Sequence, residues 1–447
     1  MLNNVQQPGL MTDLYELTMA AAYFQNRHRG EATFELFIRN LPAHRGYLVA
    51  AGLQQALEYL ENLSFSPEQI QFLRRHPAFA NVDDAFFAWL DGLRFGGEVW
   101  AVAEGTPVFP MEPLLRVTAP IIEAQIVETF LLATITFQTT IASKAARVVQ
   151  SAAGRPVVEF GSRRAHGPQA GVLAARAAYI GGCAGTSNVE AHFCFGVPSL
   201  GTMAHSFVMA YDDELPSFRD FMAIFPAHSV LLLDTYNSLR ALDRLTAAGL
   251  RPYGVRLDSG NLVELSRQVR ERLDRAGLAS AIVIASGDLD EYAIAELLAS
   301  GARIDEFGVG SALATSNDAP ALGGVYKLVA YDREPRVKLS EKGEKPTYPG
   351  CKQVFRFAEA GCYTRDLIGI AEENYPGSEQ LLSCVMRNGR RLGPAPAIHD
   401  IRVNAAKLIG RLPIAVRDLN RPAPFPVDSS ARLMELFTRV KNLRVPG

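Results

Sequence analysis

The chain has 447 residues, so roughly two or three domains are expected. Hydrophobic residues make up 48% and charged residues 21%, which excludes a disordered chain. The net charge is −2, from 45 basic and 47 acidic residues, and it argues against a nucleic-acid binder, which usually carries a basic excess.

The start, MLNNVQQPGLMTDLYELT, lacks the basic and apolar regions of a secretory signal, and a cytoplasmic protein is expected. Residues 13–27 place Leu14, Leu17, Met19, Ala22 and Tyr23 at helical spacing, with Thr12 and Asp13 as caps. EATFELFI (31–38) reads as a strand and 46–62 as a helix. Between 98 and 118, short apolar runs broken by Gly and Pro predict antiparallel strands. A long helix is predicted over roughly 120–153. Its apolar part, around 126–142, is interrupted by Glu128 and Gln138, short of the about 18 uninterrupted apolar residues of a membrane span.

Beyond Gly154 the pattern changes to strand-then-helix units. Strand-like runs (PVVEF, SLGTMAH, VLLLDT, YGVRLD, AIVIAS, RIDEFGV) alternate with helical stretches at 168–181, 213–225, 237–248, 260–277 and 288–300. Repeated βα units imply a parallel sheet covered by helices. Weaker runs near 184–188 and 324–330 raise the strand count to eight, which suits a closed barrel better than an open sheet. Strand signals return in the tail (YKLVAYD, RVKLS, QVFRF), so it is expected to extend the N-terminal module. The predicted divisions are 1–120, 121–335 and 336–447. Five scattered cysteines, Cys183, Cys194, Cys351, Cys362 and Cys384, argue against a disulfide framework and point to a reducing compartment.

In such a fold the loops after the strands carry the chemistry. Ser286-Gly287-Asp288 and Gly308-Val309-Gly310-Ser311 follow apolar runs near the end of the βα series. Their backbone N–H groups can cradle a phosphate, or the glycines can simply make tight turns. GVGSALA lacks the third glycine of a dinucleotide fingerprint. Asp234 and Asp258 each end a strand, where a carboxylate can hold Mg²⁺ or cap the next helix. Asp234 is followed by Thr235 rather than a second acid, which disfavours a type I phosphoribosyltransferase. Arg163 and Arg164 follow VVEFGS, and Arg256 sits between Val255 and Leu257, where an unpaired charge would be costly; an anionic partner is expected. His205 lies at another strand-to-loop junction, and the histidines show no zinc-ligand spacing.

These residues together resemble the nicotinate phosphoribosyltransferase family of type II phosphoribosyltransferases. The matching segments include TDLYELTM (12–19), FELFIRNLP (34–42), EFGSRRAHGP (159–168), GTSNVEA (185–191), GTMAHSF (201–207), LLLDTYNS (231–238), GVRLDSGN (254–261), SGDLDEY (286–292), FGVGS (307–311), GGVYKLV (323–329) and PGCKQV (349–354), in order along nearly the whole chain. The resemblance implies an irregular parallel βα-barrel with a second antiparallel α+β module built from both chain ends. It also implies a homodimer with shared active sites and a cytoplasmic enzyme with no nucleic-acid or membrane partner.

By the same resemblance Phe160 stacks on the pyridine of nicotinate, with Tyr15 of the partner subunit on its other face. Arg163 and Arg256 lie near the nicotinate carboxylate and the diphosphate of phosphoribosyl pyrophosphate (PRPP). Ser187 and Ser206 contact substrate, while Ser259, Gly260, Gly287, Asp288, Gly308 and Gly310 bind its phosphates. Arg39 and Lys327 are further diphosphate or ATP contacts, and Asp234 and Asp258 hold Mg²⁺ or ribose hydroxyls. His205 matches a histidine phosphorylated by ATP as co-substrate, a role that suits a neutral, nucleophilic imidazole nitrogen. His205, Arg256 and Asp258 form the implied catalytic set. Two alternatives stand beside this reading. A nicotinamide-selective relative would carry an acid where this chain has Ser187, and a non-catalytic relative would bind PRPP without turnover.

Overall fold

In the computed structural model residues 7–339 and 347–444 are described. The chain forms two compact units, one from residues 1–140 with 321–447 and the other from 141–320. The divisions predicted at 120 and 335 therefore fall at 140 and 320. The first lies inside the helix Glu128–Ser151, and the second is displaced because Gly324–Tyr331 belongs to the sheet of the first unit.

The first unit is built on a seven-stranded antiparallel sheet. Its order is Glu334–Pro335, Gly324–Tyr331, Glu31–Ile38, Pro113–Pro120, Glu98–Val102, Leu382–Arg387, Arg390–Arg391. EATFELFI is a strand as predicted, but it is buried along almost its whole length, on both faces. Phe34 stacks on Tyr326 at 4.8 Å, and the Tyr326 hydroxyl donates to the Ala124 carbonyl. The helix Leu14–Gln25 packs Leu17, Ala20 and Ala21 into the same core. Full burial of each large apolar side chain contributes about 1.5–3 kcal/mol. The helix predicted over 46–62 starts only at Leu53. Gly52 ahead of it has φ +100°, and a Cβ there would meet the Thr134 carbonyl oxygen at 2.8 Å. Of the tail runs, Lys352–Glu359 is a strand of a separate four-stranded sheet, whereas 336–339 of RVKLS is irregular and Ser340 lies outside the described residues.

The second unit contains six parallel strands in the order Gly185–Thr186, Val157–Glu159, Glu306–Val309, Ile282–Ala285, Gly254–Leu257, Val230–Leu232. Helices Ser238–Ala247 and Leu262–Arg275 cover it with Ala241, Leu242, Leu245, Val269 and Leu273, which pack on Val255, Leu257 and Val283. The count is six rather than eight. Gly324–Tyr331 is drawn into the antiparallel sheet by Tyr326, and the run 199–205 forms a single bridge, Ser199 to Thr186, instead of a ladder. Among the described residues the two edge strands do not pair with each other. Ile121–Ser151 is long and apolar enough to cross a membrane by length and composition, with an 18-residue window of mean hydropathy 1.3, yet 56% of that window is buried within the protein.

Candidate active site

A cleft of about 630 Å³ opens at the C-terminal ends of the parallel strands, and Phe160, Arg163, Ser187, His205, Arg256 and Asp258 all line it. A second cavity of about 460 Å³, in the first unit, is walled by residues such as Leu53, Leu57, Leu392 and Ile401 and gathers none of the predicted site residues. The predicted site residues therefore gather in the first of the two.

Arg256 organises the floor of the cleft. Its Nε donates to Ser286 Oγ at 2.9 Å, Nη1 to Thr202 Oγ1 at 2.6 Å and to the Met203 carbonyl at 3.3 Å, and Nη2 to Asp258 Oδ1 at 3.0 Å. The anionic partner expected for this arginine is thus supplied from within, two residues along the same strand end. The guanidinium also lies 6.0 Å from the centroid of the Phe160 ring. The run 199–205 is irregular because Thr202 and Met203 turn their polar groups to Arg256.

Burial pushes the Asp258 carboxyl up, but the Ser286 hydroxyl, the Arg256 guanidinium and His205 outweigh it and hold the group below its ordinary value. His205 begins the short helix His205–Met209. Its Nδ1 is 3.2 Å from Thr235 Oγ1, and its Nε2 faces Asp258 Oδ2 at 3.9 Å, beyond hydrogen-bonding reach. One ring nitrogen is thereby held while the other stays available to a ligand.

Asp234 Oδ2 accepts from the Asp258 N–H at 3.0 Å and the Ser259 hydroxyl at 2.6 Å. Its Oδ1 is buried without a hydrogen-bond partner among the described residues. Neither Asp234 nor Asp258 caps the following helix, since Asn237 and Asn261 do so. That removes the ordinary explanation for both acids. No cluster of three His, Cys, Asp or Glu side chains is poised around a metal among the described residues. A partnerless carboxylate oxygen beside a second carboxylate still fits Mg²⁺, which keeps waters and takes substrate phosphates as its other ligands.

The glycines of the two loops differ in their surroundings. Gly287 has φ +93°, and a Cβ there would lie 2.0 Å from the Asp258 carbonyl oxygen, so the two strand-end loops are in close contact. Asp288 follows, exposed and at φ +48°. Gly308 lies inside the strand Glu306–Val309 rather than in the loop beyond it, and a Cβ there would meet the Phe160 ring at 2.4 Å, so the missing side chain leaves room for that ring. Gly310 sits beyond the strand end, at the start of Ser311–Ala314.

Arg163 is exposed and makes no hydrogen bond or ion pair among the described residues. Ser206 is exposed on the helix His205–Met209 and does not line the cleft, and Gly260 makes the turn before Leu262–Arg275 at φ +83°. Tyr15, Arg39 and Lys327 belong to the other unit. There Tyr15 is half exposed, its hydroxyl pushed up by burial and by Glu128 and Glu16, and Lys327 opposes the effect of burial on Glu128.

Glu159, Thr202 and Thr235, which hold the cleft in shape, are not among the predicted site residues, and Ser286, expected to act through its backbone, does so through its hydroxyl. The signal for Glu159 was present, an acid between apolar neighbours in the run PVVEF.

Residues 10–136 match the nicotinate phosphoribosyltransferase N-terminal domain, 141–319 the quinolinate phosphoribosyl transferase C-terminal domain, and 377–437 the nicotinate phosphoribosyltransferase C-terminal domain. Nicotinate phosphoribosyltransferase pncB2 of Mycobacterium tuberculosis is 48% identical over 442 residues, 97% of this chain and 94% of that protein. The Homo sapiens nicotinate phosphoribosyltransferase is 32% identical over 514 residues, covering 96% of this chain and 95% of its own. The crystal structure of human nicotinic acid phosphoribosyltransferase is similar with a TM-score of 0.86 at 30% identity, over 96% of this chain and all of that one.

Proposed function

The chain belongs to the nicotinate phosphoribosyltransferase family, and we propose that the cleft of its parallel-stranded unit is where nicotinate and PRPP react. The fold class is α/β, of the type II phosphoribosyltransferase kind. The reaction forms a bond between the nicotinate ring nitrogen and C1′ of PRPP and breaks the bond from C1′ to the diphosphate oxygen. It yields nicotinate mononucleotide and diphosphate, a salvage step toward NAD.

The observation that carries the reading is the convergence of an aromatic ring, two arginines, a carboxylate and a histidine in one cleft. Phe160 offers a flat face to the pyridine, which becomes cationic as the new bond forms. Arg163 is free to take an anionic group of substrate, and the Ser187 hydroxyl can donate to a carboxylate, where an acid would repel it. Arg256, held in place by Ser286, Thr202 and Asp258, contributes a fixed positive charge toward the departing diphosphate. Gly287, Asp288 and Gly310, with Ser259 and Gly260, are assigned to the ribose 5′-phosphate and ribose on family resemblance. Asp234 and Asp258 would hold Mg²⁺, which when bound supplies charge neutralisation to the diphosphate.

ATP coupling runs through His205 in this reading. Nε2 attacks the γ-phosphorus of ATP, ADP leaves, and water later releases phosphate from the ring. Tyr15, Arg39 and Lys327 are assigned to the pyridine and to diphosphate or ATP on family resemblance. A homodimer with shared active sites is supported by the exposed apolar side chains of Val189, Phe193 and Met209, on the two helices that flank the cleft, and a cytoplasmic location is assigned on family resemblance. Steady-state assays of nucleotide formation with nicotinate and with nicotinamide, each with and without ATP, test the whole reading. Preference for the amide would overturn it.

A further inference from the structure

We propose that Glu159 is a positioning residue for the pyridine slot: its buried carboxylate ties the loop carrying Phe160 and Arg163 to the loop carrying Ser187, and so sets the spacing between them. The inference rests on the functional reading above and assigns a residue to it.

Glu159 is fully buried at the end of the strand Val157–Glu159. Its Oε1 accepts the Gly161 N–H on one side, and its Oε2 accepts the Thr186 hydroxyl at 2.6 Å on the other. The Thr186 oxygen in turn accepts the Asn188 N–H at 3.0 Å, and Asn188 Nδ2 donates to Ser162 Oγ at 3.1 Å. Two polar bridges therefore span the loops, Gly161 to Thr186 through Glu159 and Asn188 to Ser162 directly. The Glu159 carbonyl adds a third tie by accepting the Ser187 N–H at 2.9 Å. Gly161 is pressed against the carboxylate, since a Cβ there would lie 2.8 Å from Glu159 Oε1 and 2.2 Å from the Ala314 Cβ.

Core packing does not explain the choice of residue. Among the described residues no cation pairs with Glu159, and a buried acid without one is costly compared with an apolar side chain. A carboxylate is the side chain with an acceptor oxygen for each of two opposed donors. A glutamine would turn an NH₂ group on one of them. The two ends of this bridge are the aromatic wall and the residue that meets the substrate carboxylate. Spacing errors there affect nicotinate before they affect PRPP.

Three variants test the inference: Thr186→Val, which keeps the shape of the buried side chain and removes the hydroxyl; Glu159→Gln; and Thr186→Ser, which restores the hydroxyl. The measurements are KM for each substrate, kcat and Tm. Thr186→Val and Glu159→Gln should each raise KM for nicotinate roughly tenfold, with KM for PRPP near wild type. Thr186→Ser should keep the wild-type value. A fall in Tm alone, or equal movement of both KM values, makes Glu159 a structural acid and overturns the inference. If Glu159→Gln does not fold, the isosteric Thr186→Val decides. Absence of nicotinate turnover in the wild type assayed alongside overturns the functional reading, and this inference with it.

Discussion

At the scale of single residues, His205 and Asp258 carry the sharpest expectations. Thr235 holds one nitrogen of His205 and leaves the other facing the cleft, 3.9 Å from Asp258. His205→Ala should therefore abolish stimulation by ATP while retaining slow, uncoupled nucleotide synthesis. Product formation measured with and without ATP checks this, and unchanged stimulation removes His205 from the phosphoryl path. Asp258 makes a pH prediction whose sign follows from its lowered pKa. The folded state binds that proton less readily than the unfolded state does. Its contribution to stability is thus complete above the ordinary carboxylate value near ~3.9 and is lost as pH falls through the lower folded value. The stability gap between wild type and Asp258→Asn, from urea unfolding, should accordingly shrink from neutral pH to about pH 3. A gap that stays constant contradicts the assignment. Strand-end residues of this kind were legible in the sequence because an Asp, Arg or His interrupting an apolar run is conspicuous. Thr202, Thr235 and Ser286 were not, since a hydroxyl in a polar loop looks like any other until its partner is known.

At the scale of elements, the glycine loops separate packing from binding. Gly308→Ala places a methyl group against the Phe160 ring. The ring must move, and the variant should lose about 1–3 kcal/mol of stability together with affinity for nicotinate. Gly310→Ala meets only the Phe160 carbonyl oxygen, at 3.5 Å, and should fold normally. If the backbone at Gly310 approaches the 5′-phosphate, that variant raises KM for PRPP instead. Substrate-specific KM values for the two variants distinguish these roles, and identical behaviour refutes the division. Strand and helix alternation after Gly154 was readable from periodicity, and the long buried runs VLLL and AIVIA became parallel strands. The run 199–205 looked equally strand-like, yet Thr202 and Met203 serve Arg256, a partner 53 and 54 residues away. Local pattern carries no record of such a demand.

At the scale of the whole molecule, each unit is held by buried charges as well as by apolar packing. In the first, Arg356 binds Asp366 through Nε and Nη2, with Glu112 4.0 Å away, all three almost fully buried. Burial and the nearby Asp366 push the Glu112 carboxyl up. Arg356→Met should remove about 3–5 kcal/mol of stability by leaving two buried acids without their cation. Adding Asp366→Leu should recover part of that loss. Urea denaturation of the single and double variants measures both effects, and a single-variant loss below ~1 kcal/mol contradicts the account. In the second unit Lys144 joins Glu291 and Asp318 at 2.5 and 2.8 Å. The helix that carries Lys144 owes its apolar stretch to burial in the protein.

The sequence by itself determined the class of fold, the family and the positions of Asp234, Arg256 and Asp258 at or just past strand ends, whereas His205, expected at a strand end, heads a short helix. These follow from local periodicity and from motifs each only a few residues long. Tertiary structure decided what the motifs do together. It gave Arg256 an internal carboxylate partner, moved Gly324–Tyr331 into the antiparallel sheet, set Gly308 inside a strand against Phe160, and joined two loops through Glu159. Each of those outcomes depends on contacts between residues far apart in the chain, from Glu159 with Thr186 to Phe34 with Tyr326. Such contacts are selected by the packing of the complete core, which no short window of sequence contains.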